Sequence, residues 1–409
     1  MSQDIAIVGA GIAGSIAALE LADRGNRIVL YDAAGEPLTA ASFVNEGKIH
    51  LGFVYGGDRS GLTARRMIDG ALQFRSIVSR WVGQDLFASS VTRPFDYAVP
   101  EGSQLSAREV EQHFQLVQEI LCEQLSARNA DYLGEVDLPS FHRLISHPYG
   151  SEAGRIEAAF ATPERSVDTH IIAGALRAAV LTHPLIDFQA NHKVNRFVAS
   201  RSGWQVVGEN GTDGPFGRVL NAAWGQRRFL DHASGFPDDD TWFLRYKMAV
   251  LLPDCLEYLA NVTFMLGRYG DLVRYDAGRV YLSWYPAMML ASTRDLLLTA
   301  PKITPSRKVE IVRESVAAIA AYYPEVAQYL QVSEIDEATL IGGIIDARGA
   351  SDIDDRVSDL HKRSRIGPSH LAEGYCSLDP GKYTTAPMLA LEAANDLALA
   401  RQIYKVSSL

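Results

Sequence analysis

The stretch Ile5-Ala6-Ile7-Val8-Gly9-Ala10-Gly11-Ile12-Ala13-Gly14 decides the fold of this chain. Four apolar residues end in a Gly-x-Gly-x-x-Gly pattern, and apolar residues at helical spacing follow over residues 13–24. A second short apolar run, residues 27–31, then ends at Asp32. Strand, helix and strand within about 30 residues predict a βαβ unit, and therefore a parallel sheet.

Each glycine of this pattern has a mechanical role. Gly9 permits a tight turn, Gly11 lets the backbone approach a pyrophosphate, and Gly14 lets the helix pack closely on the strand. The pyrophosphate would lie at the helix N-terminus, whose first turn includes Ala13, because free N–H groups and the helix dipole favour negative charge there. Asp32 follows Gly14 by 18 residues, where a carboxylate accepts hydrogen bonds from ribose hydroxyls. The pattern predicts a dinucleotide site, and an acid at this position disfavours NADP.

Composition and charge limit the classes of partner. The chain has 409 residues, enough for two domains, and 39 Lys and Arg against 49 Asp and Glu give a net charge of −10. This charge disfavours nucleic acid as the main partner. We find no signal-peptide pattern and no apolar run of about 18 residues, so we expect a cytoplasmic protein without a membrane span. Three distant cysteines without a CxxC pattern predict neither a metal site nor a disulfide framework.

Two further segments favour FAD over NAD as the dinucleotide. Residues 39–52 form a loop of small and hydrogen-bonding residues after the βαβ unit, which suits close approach to a flat ring and a ribityl chain. Residues 374–385 form a glycine-rich turn before the last helix. Such a turn can present N–H groups and a positive dipole to the N1–C2=O edge of a flavin. Lys382 would add positive charge at that edge.

Periodicity predicts the remaining elements. Helices are expected at residues 106–131, 168–181 (capped by Asp168), 306–330 and 385–404. Strands are expected at residues 186–198, 204–209 and 218–223, with an antiparallel, aromatic-rich sheet over residues 241–286.

Taken in order, these motifs resemble the D-amino acid oxidase-like FAD superfamily, which includes glycine oxidase, sarcosine oxidase, D-amino acid dehydrogenases and glycerol-3-phosphate dehydrogenase. Residues 48–50 (Lys-Ile-His) and 381–385 (Gly-Lys-Tyr-Thr-Thr) are similar to the glycerol-3-phosphate dehydrogenase versions. Residues 162–168 resemble the segment before the family's second crossover helix. Residues 221–225 (Asn-Ala-Ala-Trp-Gly) resemble the strand end beside the pyrophosphate, with tryptophan replacing one small residue. Residues 344–349 resemble the segment that carries the family's substrate-carboxylate arginine.

The resemblance implies an α/β fold, in which an FAD-binding, Rossmann-like (GR2-type) domain carries an inserted α+β substrate domain built on a mixed or antiparallel sheet. We assign residues 1–90, 151–230 and 340–409 to the FAD-binding domain, and 91–150 and 231–339 to the substrate-binding domain. The expected cofactor is FAD, the expected partner is a small-molecule substrate, and the oligomeric state is open. The expected cofactor-binding residues are Gly9, Gly11, Ala13, Gly14, Asp32, Ala41, Ser42, Asn45, Lys48, Ile49, Val194, Ala223, Gly225, Gly381, Lys382, Tyr383 and Thr384.

Three residues are candidates for the chemistry, each with a structural alternative. Arg348 could hold a substrate carboxylate in a bidentate contact, or form a surface ion pair with Asp352, Asp354 or Asp355. His50 could face the flavin ring, as a proton carrier or a covalent attachment point, or simply pack. Tyr285 could belong to an aromatic lid over the flavin, although aromatic residues at strand spacing more often pack in a core.

The expected chemistry is a two-electron oxidation, in which a hydride leaves a carbon bearing an amine or a hydroxyl. A small amine or amino acid is the first expectation. No obligatory base is visible, which fits hydride transfer from a neutral amine. One alternative is a dehydrogenase of a 2-hydroxy acid or polyol phosphate, supported by residues 48–50 and 381–385. Another is a flavin-binding protein without turnover. An NADPH-fed monooxygenase is disfavoured, because no second glycine-rich nucleotide pattern is convincing.

Overall fold

The N-terminal motif lies in the middle of a six-stranded sheet. The computed structural model describes residues 4–238, 240–253, 256, 258–331, 338–353, 355–356 and 358–406. Strands are numbered along the chain, and those of this sheet are, in spatial order, β19 (Gly367–Ala372), β20 (Tyr375–Asp379), β12 (Arg218–Asn221), β1 (Ile5–Val8), β2 (Ile28–Tyr31) and β8 (Ile186–Gln189). The edge strand β19 is antiparallel to β20, and the other neighbours are parallel. The predicted parallel sheet is confirmed.

Helices pack against this sheet and against one another. Helix α1 (Ile12–Asp23) follows β1 directly and is buried along nearly its whole length, as its small and aliphatic residues allow. It contacts α5 (Thr169–Thr182) and α9 (Ala386–Val406). The expected cap of α5 is confirmed, since the Asp168 carboxylate accepts a hydrogen bond from the backbone N–H of His170 at 2.9 Å. Helices α2 (Leu62–Val82) and α3 (Gln84–Ser90) also pack on α5.

The second sheet is the mixed sheet that the resemblance implies. In spatial order its strands are β17 (Met289–Thr293), β13 (Trp242–Pro253), β16 (Arg279–Trp284), β15 (Gly270–Tyr275), β14 (Asn261–Phe264), β4 (Phe95–Pro100), β6 (Ile156–Ala161) and β5 (His142–Arg143), with β18 (Thr339–Arg348) on the other side of β13. β14 and β4 are parallel, and the other pairs are antiparallel. Helices α7 (Tyr285–Met288) and α8 (Pro305–Ala320) pack on β16.

Smaller elements connect the two sheets. β3 (Lys48–Ile49) pairs with β7 (Arg165–Ser166), and helix α4 (Ala107–Arg128) packs on α2. A three-stranded antiparallel sheet and helix α6 follow β8; they comprise β9 (Val194–Ser200), β10 (Gly203–Gly208), β11 (Gly211–Phe216) and α6 (Arg227–Ala233). Within the described residues, no helix is both long enough and apolar enough to cross a membrane.

Three sequence-based boundaries differ from the structure. Residues 156–161 and 340–348 were assigned to the cofactor domain, but they belong to β6 and β18 of the mixed sheet. The strand expected over 186–198 is two strands in different sheets, because Asn191 between them has a left-handed backbone with φ +52°. The helices expected over 306–330 are confirmed: α8 ends at Ala320, and a 3-10 helix follows at Pro324–Leu330.

Two glycines of the motif lie at very close approach to neighbouring backbone. Gly9 has φ +100°, and a Cβ atom there would lie 2.5 Å from the carbonyl oxygen of Ala222. Gly14 lies in α1 above this turn, and its Cβ would lie 1.8 Å from the carbonyl oxygen of Gly9. Both obstacles are backbone atoms, so a side chain at either position would push α1 away from β1 and β12.

We therefore expect Gly14→Ala to lower the free energy of unfolding by roughly 1–3 kcal/mol or more, the usual range for overpacking. Thermal unfolding followed by circular dichroism measures the change. Gly174→Ala is the matched control, because Gly174 is exposed on α5 with no heavy atom near its Cβ position. That control should stabilise the helix by about 0.5–1 kcal/mol. Equal melting of Gly14→Ala and the wild type would contradict the proposed close contact.

Candidate active site

A cleft of about 490 Å³ lies between the two sheets. At one end it is lined by the carboxyl ends of β1 and β2 and the start of β9, which is where open α/β sheets bind ligands. At the other end it is lined by residues 380–383 and by strands β13 and β18. The expected residues that line it are Gly9, Gly11, Ala13, Asp32, Ala41, Ser42, Asn45, Lys48, His50, Val194, Ala223, Gly225, Gly381, Lys382 and Tyr383.

Asp32 has a structural role that was not predicted from the sequence. Its carboxylate accepts hydrogen bonds from the backbone N–H groups of Ala10 at 2.7 Å and Ala34 at 2.8 Å. Asp32 therefore holds the glycine turn while it also lines the cleft. The Ser42 hydroxyl accepts a hydrogen bond from the backbone N–H of Ile12 at 2.8 Å, which attaches the loop of residues 39–52 to the start of α1.

Three expected cofactor residues lie behind the cleft wall instead of on it. Gly14 packs against the Gly9 turn, and Ile49 is fully buried in the core. The Thr384 hydroxyl accepts a hydrogen bond from the backbone N–H of His50 at 2.9 Å and donates one to the carbonyl of Lys48 at 3.0 Å. Thr384 therefore connects the C-terminal turn to the loop that carries His50.

Two of the three chemical candidates do not line the cleft. Arg348 forms an ion pair with Asp240, not with Asp352 or Asp355; Asp354 lies outside the described residues. The Tyr285 hydroxyl donates a hydrogen bond to Asp352 at 2.7 Å and accepts one from Arg245 at 2.9 Å. Burial raises the pKa of Tyr285 to about 12, although Arg245 opposes the shift. The structure brings only His50 of the three to the cleft.

His50 is backed by a buried carboxylate that the sequence did not single out. Its Nδ1 lies 3.5 Å from Oε1 of Glu164, which is fully buried. Glu164 also accepts hydrogen bonds from the backbone N–H of Leu51 at 2.6 Å and from the Tyr97 hydroxyl. These contacts fix the carboxylate beside Nδ1 of the ring. An N–H at Nδ1 would point to Glu164 and would leave Nε2 as a proton acceptor.

The protonation states of this pair follow from burial and charge. Burial lowers the pKa of His50, and Glu164 offsets the shift only in part. Burial by itself would raise the pKa of Glu164, but His50, Lys48 and Tyr97 together hold it below its usual value. At neutral pH the pair is therefore a neutral imidazole beside an ionised carboxylate, which is the state that a general base requires.

Cationic side chains surround the same end of the cleft. Lys48 is 2% exposed and forms an ion pair with Asp271 at 3.0 Å, with the Thr263 hydroxyl beside both. Burial would raise the pKa of Asp271, but Lys48 and Lys247 lower it to about 2. Burial lowers the pKa of Lys382 to about 8, against the opposing charge of Glu46.

Arg363 is a buried cation at this end with a single side-chain hydrogen bond among the described residues. It lines the cleft, is 8% exposed, and donates from Nη1 to the backbone carbonyl of Asp346 at 3.3 Å. Its buried Nε–H has no hydrogen-bond partner, and none of the described carboxylates forms an ion pair with it. Burial and the neighbouring Arg245 lower its pKa, yet a guanidinium stays ionised at neutral pH. An anionic ligand in the cleft would supply the missing partner.

Sequence analysis did not identify Glu164, Arg363 or Lys247 as site residues. Glu164 belongs to the segment of residues 162–168, which was noted for its resemblance to the family. The sequence did not show that Glu164 is buried. Arg363 carries no local pattern that separates it from its neighbours Lys362 and Arg365. Among the described residues, no group of three or more histidine, cysteine, aspartate or glutamate side chains is placed to hold a metal ion.

The cleft fits a dinucleotide that ends in a flavin. The glycine turn and the N-terminus of α1 line the cleft, and a pyrophosphate would be bound there. Asp32 and Val194 would flank the adenosine. The turn at Gly381 and Lys382 would meet the polar edge of the flavin ring, and His50 also lines the cleft. Fold and cleft together define a dinucleotide-dependent oxidoreductase.

Comparison with protein families identifies the cofactor. Residues 4–376 match the model of the FAD dependent oxidoreductase (DAO) family. The chain therefore belongs to this family, and it is an FAD-dependent oxidoreductase. A search of curated protein sequences returned no significant match.

Solved structures share the fold at low sequence identity. Glycine oxidase from Geobacillus kaustophilus aligns over 96% of this chain and 94% of its own, with 15% identity and a TM-score of 0.70. L-α-glycerophosphate oxidase from Mycoplasma pneumoniae, with FAD bound, aligns over 97% and 95%, with 18% identity and a TM-score of 0.69. L-proline dehydrogenase from P. horikoshii aligns over 96% and 92%, with 14% identity and a TM-score of 0.63.

The buried ion pair beside the cleft gives a stability prediction. Asp271→Asn should lower the free energy of unfolding by about 3 kcal/mol, because Lys48 is left buried without its partner. The double variant Lys48→Met/Asp271→Asn should recover most of the loss, since no uncompensated charge remains. Urea unfolding of the FAD-free protein measures both. Asp276→Asn, at an exposed turn, is the control and should change stability by less than about 0.5 kcal/mol. A double variant as unstable as Asp271→Asn would argue against this interpretation.

Proposed function

We propose that this enzyme oxidises a small anionic molecule at a carbon that bears a hydroxyl group. The observation that carries the proposal is the neutral His50, backed by the ionised Glu164, on the wall of the cleft. Bound FAD would accept the hydride from the substrate carbon. The residues of the chain then have two tasks, which are to take the hydroxyl proton and to hold the substrate in place.

His50 supports the first task. An alcohol loses its hydroxyl proton as the hydride departs, whereas a neutral amine can lose a hydride without a base. His50 would take this proton at Nε2, and Glu164 would stabilise the resulting imidazolium from the Nδ1 side. A general base so placed contributes typically 10²- to 10⁴-fold to the rate. This favours the substrate with a hydroxyl group, which is the second of the two substrate classes expected from the sequence.

Arg363 supports the second task. Its buried and under-bonded guanidinium on the cleft wall suits a carboxylate or a phosphate, which can accept two parallel N–H bonds. A 2-hydroxy acid or a polyol phosphate combines such an anion with the hydroxyl that His50 requires. Of the similar structures, the one named as a glycerophosphate oxidase is of this chemical class.

An amine or amino acid is the second candidate. Glu46 lines the cleft, and although burial would raise its pKa, Lys382 and Lys48 help to lower it, so that its carboxylate is ionised. An ionised carboxylate at this position could receive a substrate ammonium. Two similar structures are named as glycine oxidase and L-proline dehydrogenase. The family assignment favours either redox reaction over flavin binding without turnover.

Anaerobic mixing of the purified holoenzyme with each substrate class tests the proposal. We expect 2-hydroxy acids or polyol phosphates to bleach the visible absorbance of the flavin, and amino acids of similar size to leave it unchanged. His50→Asn should slow bleaching by roughly 10²-fold or more, because the proton acceptor is lost. Since the pKa of His50 is lowered, the wild-type rate should fall only below about pH 6.5, the ordinary imidazole value.

His370→Asn is the matched control, because His370 is exposed on β19 and pairs with Asp396 at 3.0 Å, away from the cleft. It should bleach at the wild-type rate. Bleaching by amino acids alone, at a rate that His50→Asn leaves unchanged, would favour the second candidate and contradict the role of His50.

Arg363→Met should raise the substrate concentration needed for half-maximal bleaching by roughly 10- to 100-fold, the value of a charge-assisted hydrogen bond. Arg365→Met is the control, because Arg365 is exposed and pairs with Asp240 at 3.6 Å. Arg348→Met should also have little effect, because Arg348 does not line the cleft. A larger loss for Arg348→Met than for Arg363→Met would restore Arg348 as the substrate-binding arginine.

A further inference from the structure

A closed series of contacts is made by residues that line the cleft. The Gly9 turn touches the backbone of Ala222 and Ala223, at the end of β12. The next residue, Trp224, donates a hydrogen bond from its indole N–H to the carbonyl of Ile344 on β18, at 2.7 Å. Two segments of the cofactor side are thereby joined to a strand of the mixed sheet.

Strand β18 also contacts the cofactor side, through its residue Gly343. A Cβ atom at Gly343 would lie 2.9 Å from the Val44 side chain, so β18 lies directly against the loop of residues 39–52. That loop is bonded to the start of α1 through Ser42 and Ile12, and α1 begins at the glycine turn. The contacts therefore form a closed ring. It runs from the Gly9 turn to the end of β12, then through Trp224 to β18, on to the loop of residues 39–52, and back through α1 to the turn.

Trp224 occupies an unusual position in this ring. Its backbone is left-handed, with φ +47°, which bulky residues rarely adopt. It also stands where the family pattern has a small residue. A left-handed tryptophan persists only where its surroundings hold it, and the observed partners are Ile344 and the cleft that its side chain lines. The strained backbone directs the indole ring from the end of β12 towards β18.

We propose that Trp224 is a latch that retains FAD in the enzyme. The residues of this ring line the cleft together with Gly11, beside which the chain between the adenine and the flavin would pass. Bound FAD would then pass through this ring. It enters or leaves only when the bond between Trp224 and Ile344 opens and the indole swings away. Trp224 is a positioning residue, and it takes no part in the oxidation.

A latch differs from an ordinary binding contact in its kinetics. Removing a contact that stabilises bound FAD accelerates dissociation and leaves association unchanged. Removing a gate accelerates association and dissociation together, so that the dissociation constant changes less than either rate. The two rate constants measured separately therefore distinguish a latch from a binding surface.

Trp224→Gly and Trp224→Phe test the proposal. Association is followed by mixing FAD with FAD-free protein, and dissociation by chasing radiolabelled FAD from the holoenzyme with excess unlabelled FAD. Trp224→Phe keeps a ring but loses the indole N–H, so we expect both rates to rise roughly two- to tenfold. Trp224→Gly loses ring and bond, and both rates should rise by roughly tenfold or more. Glycine accepts the left-handed backbone, so this variant should remain folded.

Trp242→Phe is the matched control. Trp242 also donates its indole N–H to a backbone carbonyl, that of Asp295 at 3.2 Å, but it does not line the cleft. Its exchange rates should equal those of the wild type. Faster dissociation with unchanged association in Trp224→Gly would overturn the latch, as would unchanged rates in both directions. Flavin that stays with acid-denatured wild-type protein would also overturn it, because a covalent link would by itself explain retention.

Discussion

The contact of α1 with the Gly9 turn is the constraint on which the site depends. The first turn of α1 lies so close to β1 and β12 that only hydrogen atoms fit at Gly9 and Gly14. This approach places the helix N-terminus, with its free N–H groups, on the wall of the cleft. Asp32 accepts the N–H of Ala10 and so joins the end of β2 to the same turn. The carboxyl ends of the three parallel strands β1, β2 and β12 are thereby aligned at one edge of the sheet.

The second sheet brings charge to the other end of the cleft. A buried cation is costly unless it is paired, and Lys48 meets that condition through Asp271 on β15. Arg363 meets it only in part, since its described partner is a backbone carbonyl. Buried charges without full partners cluster at functional sites more often than elsewhere. This geometry supports the proposed binding of an anion at this end, with the neutral His50 beside it as the proposed proton acceptor.

The sequence predicted much of the cofactor side, because that side is built from local patterns. The glycine motif, the acid at the end of β2 and the turn at residues 381–384 each specify their own backbone within a few residues. The substrate side has no such pattern. Arg348 and Tyr285 were selected from a family segment and from a position in the chain, and the structure places their side chains in ion pairs and hydrogen bonds outside the cleft wall.

By itself, the amino-acid sequence determined the parallel sheet, the helix that follows β1, the dinucleotide cleft and the class of cofactor, since these depend on glycines and apolar periodicity at short range. Only the tertiary structure decided which ionisable groups meet in the cleft. Glu164 lies 114 residues from His50 in the chain, and Asp271 lies 223 residues from Lys48. Pairs so distant are brought together by the packing of two sheets, and burial, which no local pattern records, then sets their protonation states.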